Sequence, residues 1–321
     1  VKRLLASREA ILFLLLLVVY LGFAATVDGF SDWNNLLRRA RYWVPAGLLA
    51  LPMTFIMATA GIDLSVGSIL ALSGVVFGML FNDVHLPIWL AGAVGVLVGG
   101  VCGMANGLVI SRLGVPPLVT TLATMALFRG IAMGLSKARA LADFPSDFLW
   151  IGQGSLLKFS GGKDVPFSIV FLLVAFIFAG IILRKTWMGR FTECIGENPI
   201  AARFAAIGVS RMYLALYTVC GIMCGIAALF HTALYATAKA DTARGLELEV
   251  VACVVIGGTR ISGGQGSIVG SLLGLFLIGI LRHGLLLADV RAQYVIIAVG
   301  VLLVITAILN EWMTSRGRAK L

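Results

Sequence analysis

Charge is scarce in this sequence. Only 12% of its residues are Asp, Glu, Lys or Arg, against 60% hydrophobic residues and a mean hydropathy of +1.02, where an ordinary soluble domain carries about 25% charged residues. The chain has too little polar surface to coat a water-soluble globule. Histidine is rarer still, with three copies. His85, His231 and His283 stand too far apart to suggest a nucleophile system or a zinc site, so intramembrane enzyme chemistry has no constellation to work with. The five cysteines (Cys102, Cys194, Cys220, Cys224 and Cys253) show no C-x-x-C spacing and no histidine partner at ligand distance. That argues against a disulfide framework and a metal centre, and Cys220 with Cys224 falls on one helix face. No G-x-x-x-x-G-K-[ST] stretch occurs; GGKD at 161–164 lacks the spacing and the terminal hydroxyl that cradling a phosphate requires. Basic residues are dispersed among apolar runs and no aromatic-rich soluble domain exists to stack bases, which leaves a nucleic-acid partner without support.

What the sequence has is long apolar runs. Broken at polar, Gly or Pro punctuation, they fall near 10–26, 44–60, 66–81, 88–110, 117–136, 166–183, 211–235, 248–257, 267–286 and 293–310. Many reach the roughly 17 to 25 residues that a helix needs to cross lipid. They lack the two-residue alternation of barrel strands and exceed a strand's length. The expectation is an all-α, multi-pass integral membrane protein: one transmembrane domain over 1–321, about ten transmembrane helices, some of them discontinuous, and both termini on the cytoplasmic side. The run at 248–257 is short for a crossing and reads equally as re-entrant. The first run follows Lys2, Arg3 and Arg8 but leads into no small-residue cleavage site, so it reads as a retained span. With the N-terminus inside, Arg184, Lys185, Arg190, Arg316, Arg318 and Lys320 join these bases in the cytoplasm, a modest positive-inside bias. RRAR at 38–41 then lies outside, as an interfacial turn whose long basic side chains snorkel.

Three stretches depart from plain hydrocarbon. GIDLSVGS at 61–68 puts a carboxylate and hydroxyls inside an apolar region. Gly61 can end one helix in a left-handed cap, and Asp63 or Ser65 can accept from the N–H groups that open the next. Irregular backbone survives in lipid only when buried in protein or lining a watery cavity, so Asp63 either merely caps the helix or also borders a solute route. VVIGGTRISGGQGSIVGSLLG at 254–274 repeats the theme, a flexible break followed by VGS and an apolar helix, as in two related halves. Its Gly266, Gly270 and Gly274 equally fit close helix packing. In RKTWMGRFTECIGENPIAARFAAIGVSR at 184–211, Asn198 and Pro199 form a helix start, and Ala201, Ala202, Ala205 and Ala206 give a small face for a partner groove or for the chain's own bundle.

These three motifs, in their order along the chain (61–68, 184–211, 254–274), resemble the permease subunits of bacterial ribose-type ABC importers over about residues 44–310. The resemblance implies a chain without an ATPase site or cofactor of its own, working in the bacterial inner membrane. Its implied partners are a nucleotide-binding ATPase subunit that binds ATP and Mg, a periplasmic solute-binding protein, a second permease copy or sister permease, and membrane lipid. The implied cargo is a small polar solute: a sugar such as ribose, rhamnose or a related pentose or hexose, or autoinducer-2. The stretch at 50–68 is slightly more similar to autoinducer-2 type subunits. The loop at 184–211 looks like the family's coupling segment, which assigns ATPase coupling to Gly196, Glu197, Asn198, Pro199, Ala201, Ala202 and Arg203. On the solute path, Asp63, Ser65 and Ser68 offer hydroxyl-binding or cap-stabilising groups, and Asn106, Thr120 and Thr121 add polar groups within spans. Ala206-Ile207-Gly208 departs from the family's usual G-I-N, Arg260 replaces a small polar residue, and Arg282 with His283 replaces asparagines. An ion-coupled secondary transporter is the rival, because it gives a buried carboxylate a purpose without any ATPase.

Overall fold

The computed structural model describes residues 8–159, 163–291, 293–302 and 304–305. Helices dominate. In chain order they are α1 (Arg8–Thr26), α2 (Trp33–Ala40), α3 (Val44–Ala58), α4 (Val66–Asn82), α5 (Ile88–Arg112), α6 (Pro117–Ser136) and α7 (Ser146–Gln153). A hairpin of β1 (Ser155–Phe159) and β2 (Lys163–Pro166) follows. The chain continues through α8 (Phe167–Lys185), α9 (Trp187–Glu197), α10 (Pro199–Phe204), α11 (Val209–Tyr235), α12 (Leu246–Ile256), α13 (Ile268–Leu287) and α14 (Gln293–Leu302). The hairpin is an addition to the all-α expectation, in a segment rich in short polar turns between two membrane helices.

Among the described residues, six helices are long and apolar enough to cross a membrane: α1, α5, α6, α8, α11 and α13. That corrects the expected ten. Apolar runs give composition, whereas helix length is set by Gly, Pro and hydrogen bonding. Thus α3 ends after 15 residues, α4 has 17 and α12 stops after 11 at Gly257 and Gly258. The tenth run continues past 305, outside the described residues. The result is a multi-pass membrane protein with several interrupted apolar helices.

The core is built around α3, every residue of which is buried. It carries Pro52 inside the helix, where the ring removes one backbone bond and forces a local adjustment that neighbouring helices must enclose. Those neighbours are α8, α11, α12 and α13. The most extensive helix pairing among the described residues is α5 with α11. Its seam follows a four-residue repeat, Gly95, Gly99, Gly103 and Gly107; a Cβ on Gly99 would overlap the Gly221 carbonyl oxygen, and one on Gly103 the Tyr217 carbonyl oxygen. Only glycine lets two backbones approach so closely. By contrast α1 lies at the periphery, touching α13, with Leu12 its buried apolar residue.

The two ends of the bundle differ. At one, Arg139 pairs with Asp83, Leu141 bridges Ala238, and α7 with the hairpin covers the start of α8. After α8 traverses the bundle, α9 and α10 occupy the opposite end. The amphipathic α2 carries exposed Arg38 and Arg39, while Arg41 donates to the Gln153 carbonyl oxygen and Ser155.

Candidate functional site

The chain breaks first between α3 and α4. Helix α3 ends through Ala60, which takes the left-handed conformation at φ +62°. Gly61, the expected cap, does not. Its smallness serves packing instead, since a Cβ there would lie 2.9 Å from the Tyr217 hydroxyl. Asp63, Ser65 and Ser68 are fully buried. Asp63 Oδ1 accepts from the Ser65 backbone N–H at 2.9 Å and from Ser65 Oγ at 2.6 Å. The carboxylate therefore closes a turn two residues long and does not reach the opening N–H groups of α4. Ser65 already has helical backbone angles, φ −81° and ψ −7°, and its side chain makes no cap bond. An Asp in this position folds the chain back on itself just ahead of the helix.

Neighbouring helices complete a polar network. Asn106 of α5 donates through Nδ2 to Ser65 Oγ at 2.9 Å, Ser68 Oγ donates to the Ser65 carbonyl oxygen at 2.8 Å, and Thr121 of α6 donates to the Ile62 carbonyl oxygen at 3.2 Å. Thr120 is buried one residue away but bonds none of these groups through its side chain. Tyr217 and Cys220 of α11 lie beside the Asp63 carboxylate. Asp63 Oδ2, Asn106 Oδ1 and the Tyr217 hydroxyl are buried without a hydrogen-bond partner among the described residues. Such groups bear a desolvation cost of about 1 to 3 kcal/mol each. They leave unused acceptors, and one hydroxyl that can also donate, facing the first break. Tyr217 is absent from the sequence-based set; a phenol in a long helix that also carries Tyr213 and Tyr235 gives no signal that singles it out. The glycine seam of α5 and α11, also missed, holds Asn106 and Tyr217 at this depth and is legible as the repeat at 95, 99, 103 and 107.

The second break, 257–267, is capped differently. Ser267 Oγ accepts from the Gly270 N–H at 3.0 Å, so here the serine does cap its helix. It also donates to Glu9 of α1 at 2.7 Å. Ser271 and Thr54 share a buried hydrogen bond of 2.8 Å that joins α13 to α3. Gly270 and Gly274 face the carbonyl oxygens of Gly257 and Cys253, as close packing of α12 on α13 requires. Arg260 meets Glu197 at 3.6 Å, and Arg282 pairs with Glu249. Arg129 donates to the carbonyl oxygens of Ala240 at 2.7 Å and Thr242 at 2.6 Å, holding irregular backbone between α11 and α12. His283 stacks on Phe30 with ring centroids 5.4 Å apart.

At the elbow, Asn198 Oδ1 accepts from the N–H groups of Ile200 and Ala201, both at 3.0 Å, with Pro199 opening α10. Gly196 and Glu197 end α9. The small face does not point one way. Ala202 is 4% exposed and seats α10 on the chain's own bundle, while Ala201 and Arg203 are exposed. The exposed side also carries Ile200 at 65% and Phe204 at 88% exposure. A cavity lined by Phe81, Asn82, His85 and Asp143 lies at the opposite end of α4 and contains none of these residues.

Comparison with known proteins agrees over almost the full length. The chain is 32% identical over 329 residues to the autoinducer 2 import system permease protein LsrD of Salmonella paratyphi A, covering 98% of this chain and 97% of the relative. It is 35% identical over 303 residues to the ribose import permease protein RbsC of Bacillus subtilis, covering 94% and 90%. The RbsC protein of Haemophilus influenzae is 30% identical over 305 residues, covering 94% and 92%. The matching family model spans residues 35–310. With interrupted helices around a buried polar turn and relatives matched end to end, the chain belongs to the family described as the permease component of branched-chain amino acid transport systems.

Proposed function

We propose that this chain is the membrane subunit of a binding-protein-dependent ABC importer in the bacterial inner membrane, driven by an ATPase subunit that binds ATP and Mg. One observation carries the reading: α10 presents Ile200 and Phe204 to solvent from a six-residue helix capped by Asn198 and seated through Ala202. Exposed large apolar side chains on a helix too short to stand alone are anchors for a protein groove. In this reading 1–321 forms a single transmembrane domain in which the ten apolar runs all enter the membrane, both termini lie in the cytoplasm, and a second or sister permease completes the path. A periplasmic solute-binding protein delivers cargo.

The cargo class follows from the first break. Asp63, Ser65, Ser68, Asn106, Thr120, Thr121 and Tyr217 offer hydroxyl, amide and carboxylate groups, and no basic side chain is hydrogen-bonded into this network among the described residues. That lining suits a neutral solute rich in hydroxyls, such as a pentose, a hexose or autoinducer-2, better than an amino acid, whose carboxylate seeks a cation. The names of the relatives agree.

The buried Asp63 carboxylate favours one rival, an ion-coupled secondary transporter. Proteoliposomes separate the two. Uptake that needs added ATPase, ATP and binding protein is expected; accumulation driven by a proton or sodium gradient with this chain alone would sink the proposal.

A further inference from the structure

We infer that Gly196 and Glu197 fasten the two backbone breaks to one another, so that the elbow and both breaks move as one body, with Glu197 and Arg260 as its positioning pair. The inference rests on the ATP-driven reading for the source of the force and on contacts within this chain for everything else.

Three chain segments meet there backbone to backbone. The Gly264 N–H, in the second break, donates to the Ala58 carbonyl oxygen at the end of α3, a 2.9 Å bond that ties one break to the other. Gly196 is wedged against the same pair: a Cβ on it would overlap both the Ala58 oxygen and the Gly264 nitrogen. Gly263 closes the group, with room for a Cβ only 2.8 Å from the Ala60 nitrogen and 2.9 Å from Gly196 Cα. Gly263 and Gly264 both have left-handed backbone, at φ +82° and +83°, a shape that side chains rarely adopt. Ala58, Gly196 and Gly264 meet backbone on backbone, so no rotamer change at these contacts can absorb a displacement between the segments. Close-packed backbone transmits strain instead of yielding to it.

Polar contacts orient the junction from α9. The Glu197 carboxylate lies 3.6 Å from the Arg260 guanidinium, and Glu193 accepts from the Gly266 N–H at 3.5 Å. Glu197 is partly exposed, so the ion pair adds little to overall stability. Its value is directional: it fixes the second break to the residue that immediately precedes the Asn198 cap of α10. Any tilt imposed on Ile200 and Phe204 thus reaches Ala58 and Gly264 together. The signal does not have to cross the bundle twice.

The test uses the assembled transporter in proteoliposomes, in a Cys194→Ser background because Cys194 is exposed on α9 while the other four cysteines are buried. The double variant Glu197→Cys/Arg260→Cys is assayed before and after joining with a short bifunctional methanethiosulfonate. Uptake per ATP hydrolysed is expected to fall about fivefold or more in the unjoined variant, to return to within about twofold of the background on joining, and to fall again with dithiothreitol. The charge swap Glu197→Arg/Arg260→Glu is expected to exceed either single reversal in the same ratio. If joining stops uptake and reductant revives it, elbow and break must part during the cycle and the inference is wrong. An unjoined variant equal to its background would remove the positioning role. Should the background accumulate solute from an ion gradient without ATPase, the proposed function fails, yet the joined-to-unjoined uptake ratio still decides whether the junction is one body.

Discussion

Asp63 shows how a single side chain can be anticipated in kind and misjudged in detail. A carboxylate followed by Leu-Ser-Val-Gly-Ser signals a break in the helix, and the break is there. The acceptor, however, is used on Ser65 and not on α4, because the chain is already helical at Ser65. Whether the charge itself matters is testable. Asp63→Asn keeps an oxygen for the Ser65 N–H; near-normal uptake is expected if the group only shapes the turn, and a loss of about tenfold or more if the ionised form serves the path. Asp63→Ala strands the Ser65 N–H in the core and takes the acceptor from the Ser65 hydroxyl proton, and should lower stability by about 1 to 3 kcal/mol, read as a drop in thermal midpoint in detergent. Tyr217→Phe removes an unpartnered hydroxyl, so it should leave stability unchanged or raised, while any fall in uptake would place the phenol on the path.

At the scale of elements, the helix α10 carries the clearest prediction. Ile200→Ser with Phe204→Ser alters only exposed positions, so folding should be unaffected while binding of the ATPase partner weakens by about tenfold or more, as loss of two anchors implies. A pull-down of the partner checks it. Ala202→Trp should act differently, by unseating the helix from its own bundle, with reduced thermal stability as the signature. Sequence alone could not separate these faces, because six residues make less than two turns and apolar side chains occur all round. Asn198 and Pro199 were readable as a helix start because cap and first-turn chemistry is local. The Glu197–Arg260 pair was not readable, since one partner ends α9 and the other lies in the second break, and only the packing of the folded chain brings them together. The seam of α5 and α11 lies between these cases. Its four-residue spacing is plain in the sequence, whereas the partner helix is not. Gly103→Leu should force the Tyr217 backbone away and abolish stable insertion, measured as loss of monodisperse protein after extraction.

For the whole molecule, hydropathy revealed a multi-pass helical membrane protein but not its helix lengths. Among the described residues, six helices of crossing length are interspersed with shorter pieces, α3, α4 and α12, that depend on being enclosed. The completely buried α3 is the extreme case: it meets almost no lipid, so its apolar character reports the core of a bundle. The number of crossings therefore becomes a matter for labelling. If both ends of the chain lie in the cytoplasm, a cysteine placed at either end of a cysteine-free version should resist a membrane-impermeant maleimide applied from the periplasm, and labelling of one end alone would reverse that assignment.

Arg129 imposes an order on biogenesis. Its guanidinium sits within α6, yet the two carbonyl oxygens that satisfy it, on Ala240 and Thr242, are synthesised more than a hundred residues later. Until they emerge from the ribosome, α6 must carry an unmet cation, a burden of about 2.5 to 3.5 kcal/mol for translocon-mediated insertion. Nascent chains halted before Ala240 should leave this segment loosely held, so that an engineered glycosylation tag beside it in a microsomal translation assay reports mixed topologies. Chains that extend past Thr242 should settle into one, and Arg129→Leu should erase the difference.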